Sequence, residues 1–203
     1  MAKIDEIKSQ IRDSINTKEL LIVQQLQNIE QVANIIINAY NNNKKILIFG
    51  NGGSAADAQH FAAELINKFK IKRKPLPAIA LTTDSSIITS IANDSGFEEI
   101  FQKQIEALCN EQDIVIAITT SDISTNKNGH SSNIYNGIIA AKSKNAVVVG
   151  LISSRGKEIG KLVDYSINVP SNDTQRIQEA HIMILHVICD LIEKELFQDE
   201  KSS

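Results

Sequence analysis

The chain has few cysteines and no long hydrophobic run. Its two cysteines, Cys109 and Cys189, are too few and too unpatterned for a disulfide scaffold, so we expect two buried thiols in a reducing compartment. No apolar run reaches the length of about 18 residues that a membrane-spanning helix needs. Residues 1–6 lack the apolar stretch of a secretory signal. We therefore expect a cytoplasmic protein with no membrane partner.

Aromatic residues and an excess of positive charge are also missing. Tryptophan is absent and aromatic residues make up 4% of the chain, which argues against a platform for base stacking. The formal net charge is -3, so the basic surface of a nucleic-acid binder is not expected. The densest basic run, residues 68–74, is interpreted as a solvated helix end and loop. The overall composition, with 42% hydrophobic and 22% charged residues, is typical of a globular protein.

The first 43 residues carry a helical pattern of apolar side chains. The pattern weakens at residues 16–18 and then continues, which predicts one or two amphipathic helices. We treat residues 1–43 as an N-terminal helical extension of a domain spanning 44–203. Its apolar stripe packs either on the core of the same chain or in a helical bundle between subunits. The stripe consists of Ile4, Ile7, Ile11, Ile15, Ile22, Leu26, Ile29, Ala33, Ile36 and Tyr40.

Five short apolar runs follow, separated by helical segments. They are rich in branched residues and do not alternate with polar ones, which is typical of parallel strands buried on both faces. The order of elements predicts an α/β fold with a doubly wound, mostly parallel five-stranded sheet flanked by helices. In such a sheet the ligand site lies at the carboxyl ends of the strands. The predicted strands are 45–50, 77–81, 113–118, 146–151 and 164–170; the predicted helices are about 54–69, 98–109, 131–144, 156–163 and 172–197.

Two loops at predicted strand ends carry small and hydroxyl-bearing residues. Gly50-Asn51-Gly52-Gly53-Ser54 follows the first strand, where glycines let backbone N–H groups approach a ligand at a helix start. The acid expected about 20 residues beyond a dinucleotide fingerprint is missing. A tight turn with a capping serine is the structural alternative. Thr119-Thr120-Ser121 follows the third strand and could cradle a phosphate. Together the two loops suggest a phosphorylated small molecule, most simply a sugar.

Titratable residues gather on two predicted helices. His60 and Glu64 are four residues apart, so they share a helix face. On the last helix, Gln178, His181 and His186 interrupt an apolar stretch, and we predict that they form a chemically active face.

Four separated segments resemble one enzyme family. Residues 50–60 resemble the glycine-loop motif of bacterial phosphoheptose isomerases, which are sedoheptulose 7-phosphate isomerases built on the sugar isomerase (SIS) domain. Residues 77–84, 91–94 and 176–182 resemble the same family, in the same order. The resemblance implies a flavodoxin-like sandwich. It also implies conversion of sedoheptulose 7-phosphate to D-glycero-D-manno-heptose 7-phosphate through an enediol, for nucleotide-heptose and surface-glycan (lipopolysaccharide) biosynthesis.

The resemblance also implies roles for individual residues and a homotetramer with inter-subunit active sites. The implied acid/base pair is Glu64 and His186. The implied ligands of a zinc ion are His60, Glu64, Gln178 and His186. The implied contacts with the phosphorylated seven-carbon sugar are Asn51, Gly52, Gly53, Ser54, Glu64, Asn93, Asp94, Thr119, Thr120, Ser121, Ser131 and Gln178.

The chain departs from the family pattern in its second loop. The family's Ser-Thr-Ser-Gly-Asn-Ser is interrupted here by about seven residues, 122–128. The closing serine is Ser124 by position and Ser131 by the Gly-x-Ser match, and we favour Ser131. His130 stands where the family has asparagine, either as a solvated loop residue or as a new substrate contact. Lys68 replaces a frequent arginine, which removes a bidentate clamp.

The spacing of two implied zinc ligands raises a geometric problem. Gln178 and His186 are separated by a rise of roughly 12 Å on a straight helix, whereas bonds to zinc are about 2 Å long. We therefore predict that these two residues come from different subunits or from a broken helix. Two other functions stay open: a non-catalytic SIS-domain protein that binds a sugar phosphate or another protein, and an isomerase of another ketose phosphate.

Overall fold

The N-terminal stripe forms two helices. The computed structural model describes residues 2–123 and 131–197. In it, α1 (Lys3–Gln24) and α2 (Leu26–Asn41) meet at Gln25, and the weak point of the pattern at residues 16–18 lies within α1. The Thr17 hydroxyl donates to the carbonyl of Asp13 and so stays within the helix. The Gln25 side chain instead accepts from the backbone N–H of Asn168, which ties the bend to the sheet.

The sheet is parallel and doubly wound, as predicted. Its strands lie in the order β2-β1-β3-β4-β5. This order reverses the direction of winding between β1 and β3, which is where ligands bind in such folds. The strands are β1 (Ile46–Gly50), β2 (Ala78–Ala80), β3 (Ile114–Ile118), β4 (Val147–Ser153) and β5 (Tyr165–Val169), and every strand pair is parallel.

One helix was not predicted. This helix, α4 (Ser85–Asp94), has no buried residue, and its run of β-branched isoleucines and threonine has no preference for a helix. The Asp84 side chain accepts from the backbone N–H of Ile87 and caps its start. The remaining helices are α3 (Gly53–Ile66), α4 (Ser85–Asp94), α5 (Ile100–Leu108), α6 (Ser132–Ser143), α7 (Lys157–Leu162) and α8 (Thr174–Leu196).

Helices cover both faces of the sheet, which explains the continuous apolar strands. One core contains residues of α2, α3 and α8, among them Ile36, Phe61 and Ile184. The other lies under α5 and α6 and includes Phe101 and Ile138. α2 therefore packs on the core of its own chain.

Helix α1 keeps most of its apolar stripe exposed. Only Thr17 and Leu21 are buried on it, whereas Ile4, Ile7 and Ile11 are more than half exposed. Packing on the core of the same chain is confirmed for α2, whereas α1 contributes only Leu21 to that core and its helical bundle between subunits stays a prediction.

Two further expectations concern cysteines and charged residues. Cys109 and Cys189 are buried free thiols, which confirms the prediction. The basic run 68–74 follows the end of α3, but its interpretation as solvated is wrong for Arg73, whose side chain is 1% exposed and pairs with Glu193.

Within residues 2–123 and 131–197, no helix combines the length and apolar character needed to cross a bilayer.

Candidate active site

The loop after β1 forms one wall of a cavity at the sheet's carboxyl edge. Gly52 has a φ of +56°, a conformation that favours glycine. Gly53 begins α3 directly against the Gln178 side chain, and a Cβ at this position would collide with the Gln178 amide. Ser54 is buried in the first turn of the helix. The N–H groups of Ser54 and Ala55 donate to the carbonyls of Asn51 and Gly52, and the positive end of α3 faces the cavity next to the amide of Gln178.

The loop after β3 forms the opposite wall and is held by backbone contacts. The Thr119 hydroxyl donates to the carbonyl of Ser121. The carbonyl of Thr120 accepts from the Ser153 hydroxyl at 3.0 Å and from the Arg155 guanidinium at 2.8 Å. These bonds fix the loop in the absence of any regular secondary structure.

A pair of amides joins the two walls. The Asn51 side chain donates to the Asn133 carbonyl oxygen at 3.0 Å, and Asn133 donates back to Asn51 at 2.8 Å. Asn133 is 2% exposed and lies in the first turn of α6. The starts of α3 and α6 are thereby held at a set distance across the cavity.

The cavity enclosed by these walls suits a small anionic ligand. Its volume is about 550 Å³, within the range of ligand sites. Two helix N-termini open onto it, and each favours a negative charge. Among the described residues, no lysine or arginine lines it, so a phosphate would be held by N–H groups and hydroxyls. The lining comprises Asn51, Gly52, Gly53, Ser54, Phe97, Ile118, Thr119, Thr120, Ser121, Ser131, Ser132, Asn133 and Gln178.

Nine of the twelve substrate contacts implied by the resemblance line this cavity, whereas Glu64, Asn93 and Asp94 do not. Asn93 and Asp94 lie at the end of α4, where the Asn93 amide donates to the Asp94 carboxylate. Ser131 lines the cavity, whereas Ser124 and His130 fall outside the described residues. Phe97 and Ser132 were missed, because neither the 3₁₀ turn at Phe97–Glu99 nor the exact helix start carries a signal in the sequence.

His60, Glu64 and His186 form a cluster between α3 and α8. The Nε2 atoms of His60 and His186 are 2.8 Å apart, and Nε2 of His60 is 3.4 Å from Oε1 of Glu64. One ligand atom from each residue lies within 4.8 Å of the others. Two imidazole nitrogens and a carboxylate are a donor set that zinc accepts, with a position left for substrate. These three residues therefore fit the implied metal.

Gln178 does not join this cluster within one chain. Helix α8 is continuous from Thr174 to Leu196, so the broken-helix alternative is wrong. Gln178 lies two turns before His186 and contacts Gly53 at the cavity. Its contribution from a different subunit stays a prediction.

His181 belongs to the core, which corrects the predicted chemical face. It is 0% exposed, and its Nε2 lies 3.2 Å from the carbonyl of Ile152 on β4. Burial lowers the pKa of His181 to about 4, so the ring is neutral near pH 7. A separation of five residues places two side chains roughly 140° apart around the helix axis, so His181 and His186 point to different sides.

Asp57 is a titratable neighbour that the sequence analysis missed. It precedes His60 by three residues on α3, the spacing of side chains on one helix face. Its Oδ2 atom is enclosed and has no hydrogen-bond partner among the described residues. Burial raises the pKa of Asp57 to about 6, against the opposing effect of the His60 charge.

Comparison with known proteins gives a consistent result. A family model described as the SIS domain matches residues 10–153. A phosphoheptose isomerase of Geotalea uraniireducens is 47% identical over 194 residues, which cover 96% of this chain and 99% of that protein. One from Aquifex aeolicus is 46% identical over 191 residues, covering 94% and 96%. The solved structure of a phosphoheptose isomerase from Francisella tularensis has a TM-score of 0.89 at 37% identity, covering 96% of this chain and 100% of that one.

Proposed function

Because the chain belongs to the phosphoheptose isomerases, which are aldose–ketose isomerases built on the SIS domain, we propose that it converts sedoheptulose 7-phosphate to D-glycero-D-manno-heptose 7-phosphate. The reaction would supply nucleotide-heptose and surface-glycan (lipopolysaccharide) biosynthesis in the cytoplasm of a bacterium. One observation carries the proposal: an anion cavity and a His–Glu–His cluster lie along the same helix, α3.

The spacing along α3 supports a seven-carbon substrate. Seven residues separate Gly53 from His60, a rise of about 10 Å. An open-chain heptose phosphate has a similar length between its phosphorus and its carbonyl end. With its phosphate at the start of α3, its carbonyl carbon would come beside His60 and Glu64, whereas a shorter ketose phosphate would stop before them.

The side chains of the cluster can perform the proton transfers that isomerisation requires. The Glu64 carboxylate takes a proton from C1 of the ketose, giving an enediol, and returns a proton to C2. His186 donates a proton to O2 as the enediol forms and accepts one from O1 as the C1 carbonyl forms. Each proton removed is thus replaced, and the carbonyl moves from C2 to C1.

A divalent metal would be held by His60, Glu64 and His186, with Gln178 of a partner subunit as a fourth ligand. When bound, zinc supplies Lewis-acid stabilisation of negative charge on the substrate oxygens. Because the subunits are equivalent, each Gln178 would bind the metal of the partner subunit through its amide oxygen while its N–H₂ group donates to the substrate in its own cavity.

We further propose a homotetramer in which α1 forms a helical bundle between subunits. The exposed row Ile4, Ile7, Ile11 and Ile15 supports this, because an apolar stripe of this length on a helix usually packs against a partner.

A direct assay tests the proposed reaction. The purified protein is mixed with sedoheptulose 7-phosphate, and the aldose is followed by NMR, with and without a chelator and after re-addition of Zn²⁺. We expect aldose formation that the chelator abolishes and Zn²⁺ restores. Turnover of a different ketose phosphate alone would make the chain an isomerase of that sugar. Binding of sugar phosphates without turnover would make it a non-catalytic SIS-domain protein.

A further inference from the structure

One buried carboxylate holds the segment that follows α3. Glu193 of α8 accepts hydrogen bonds from the backbone N–H groups of Phe69, Lys70 and Ile71 at 2.7, 2.7 and 3.0 Å. It also accepts from Nε of Arg73 at 2.8 Å. The Arg73 and Glu193 side chains are 1% and 3% exposed. A carboxylate with four donors in a buried site fixes the path of the backbone that it binds.

Arg73 binds the same segment to the end of α3. Its guanidinium donates to the carbonyls of Glu64 and Leu65, both at 2.8 Å, and to the carbonyl of Lys74 at 3.0 Å. Helix ends leave carbonyls without partners, and Arg73 satisfies two of them here. The turn of α3 that carries Glu64 is therefore connected to α8 through one ion pair.

The segment places an aromatic ring against His186. The rings of Phe69 and His186 are stacked, with centroids 5.3 Å apart and planes 26° apart. The His60 ring is a second neighbour of His186, with the ring centroids 5.0 Å apart. The partly exposed imidazole of His186 thus contacts both the His60 ring and an apolar ring that offers it no hydrogen bond.

We propose that Phe69 is a positioning residue for His186, and that the Glu193–Arg73 pair holds Phe69 in place. The stacked ring restricts rotation of the imidazole and keeps its Nε2 directed toward His60 and Glu64. The effect on catalysis rests on the proposed function, whereas the orientation of His186 does not. Groups that support metal ligands and catalytic imidazoles in this way change activity by about 10- to 100-fold when removed.

A spectroscopic experiment tests the orientation independently of turnover. The chain has four histidines, so a full-length protein with ¹³C-labelled histidine rings and no bound metal gives few ring signals, and His186→Gln assigns one of them. We expect the His186 signal to be shifted upfield by the ring current of Phe69. Phe69→Leu should remove this shift and Phe69→Tyr should keep it. An unchanged His186 signal in Phe69→Leu would overturn the proposal.

Kinetics with the same two variants test the consequence. We expect Phe69→Leu to lower kcat by about 10-fold or more with little change in KM, because the ring touches His186 and not the cavity. Phe69→Tyr should restore most of the activity. Equal losses in both variants, or a loss confined to KM, would contradict a positioning role. If the wild-type protein shows the ring-current shift but does not convert sedoheptulose 7-phosphate, the proposed function fails and the positioning of His186 holds.

A matched pair on α8 tests the role of Glu193. Glu193→Gln keeps one acceptor oxygen but places an N–H₂ group against backbone donors, so we expect loss of the His186 shift and of kcat. Glu195→Gln removes a charge two residues later, at an exposed position of α8. We expect that variant to retain both. If Glu193→Gln does not fold, Arg73→Lys, which keeps the charge but loses the fork of donors, replaces it.

Discussion

At the scale of the residue, a position on a helix decides whether a titratable group does chemistry or fills the core. His181 and His186 are five residues apart on α8, yet one bonds a sheet carbonyl and the other meets His60. Glu64 lies opposite His186 with a partly exposed side chain, so the removal of its charge should leave the fold intact.

Glu64→Gln tests whether Glu64 is the base that removes the proton from the substrate carbon. A carboxamide cannot accept a proton at the pH of the assay, so we expect kcat to fall by about 100-fold or more. The melting temperature should stay within the range of ordinary surface substitutions. Glu106→Gln on α5, which lies outside the site, serves as the control and should keep full activity. Full turnover by Glu64→Gln would end the assignment.

The buried His181 gives a pH dependence of stability. Its pKa is about 4 in the folded chain against an ordinary value of 6.5, so the unfolded chain binds more protons between these values. Stability is therefore complete above pH 6.5 and declines as the pH falls toward 4, by about 3 kcal/mol in total. Urea unfolding of the wild type and of His181→Gln at several pH values measures the difference. An equal pH dependence in both proteins would argue against this origin.

At the scale of the element, the helix starts at the cavity are held by side-chain pairs and not by the sheet alone. The Asn51–Asn133 pair links the β1–α3 loop with α6. The Asp122 carboxylate accepts from the backbone N–H groups of Glu158 and Ile159, which fixes the second loop on α7. Both walls of the cavity are thus anchored to the helices behind them.

Asn133→Ala should weaken binding of the phosphate group. The substitution removes both bonds between the walls, each worth about 1 kcal/mol, so we expect the affinity for inorganic phosphate to fall by up to about 30-fold. Isothermal titration calorimetry measures it. Asn136→Ala, one turn further along α6, removes a bond to the carbonyl of Glu98 outside the cavity and is the matched control. Equal affinities in the two variants would count against the role of the amide pair.

At the scale of the whole molecule, α1 is a helix whose apolar stripe a single chain leaves mostly exposed. It packs on α8 at Gln10, whose carbonyl accepts from Arg176, but its isoleucine row faces outward. A second copy of the chain would cover this row and bring another Gln178 within reach of the His60 cluster. Assembly and catalysis are therefore expected to be coupled.

Charges placed on the isoleucine row should separate the subunits. We expect the wild type to have four times the 22.3 kDa mass of one chain in light scattering. Ile7→Lys combined with Ile11→Lys should lower this mass and abolish isomerase activity. Asp5→Lys combined with Ser9→Lys adds lysines to the polar face of α1 and should leave both unchanged. A monomeric double variant with full activity would contradict an inter-subunit site.

The sequence determined the features that depend on local patterns. Continuous branched runs indicated buried parallel strands, and glycine and hydroxyl residues indicated which strand ends line the cavity. The spacing of His60 and Glu64 placed them on one helix face. These inferences succeed because burial on both faces and helical periodicity involve neighbours within a few residues. α4 was not predicted because its β-branched residues do not favour a helix and none of its residues is buried.

Only the tertiary structure decided which distant groups meet. The contact of His60 with His186 joins residues 126 apart, and that of Glu193 with Phe69 joins residues 124 apart. Both depend on how α3 and α8 pack side by side, which the periodicity of either helix alone does not contain. The same packing placed Gln178 at Gly53, His181 in the core and Arg73 in a buried ion pair. Local spacing selects the face of an element, whereas the partner of that face follows from the packing of the complete fold.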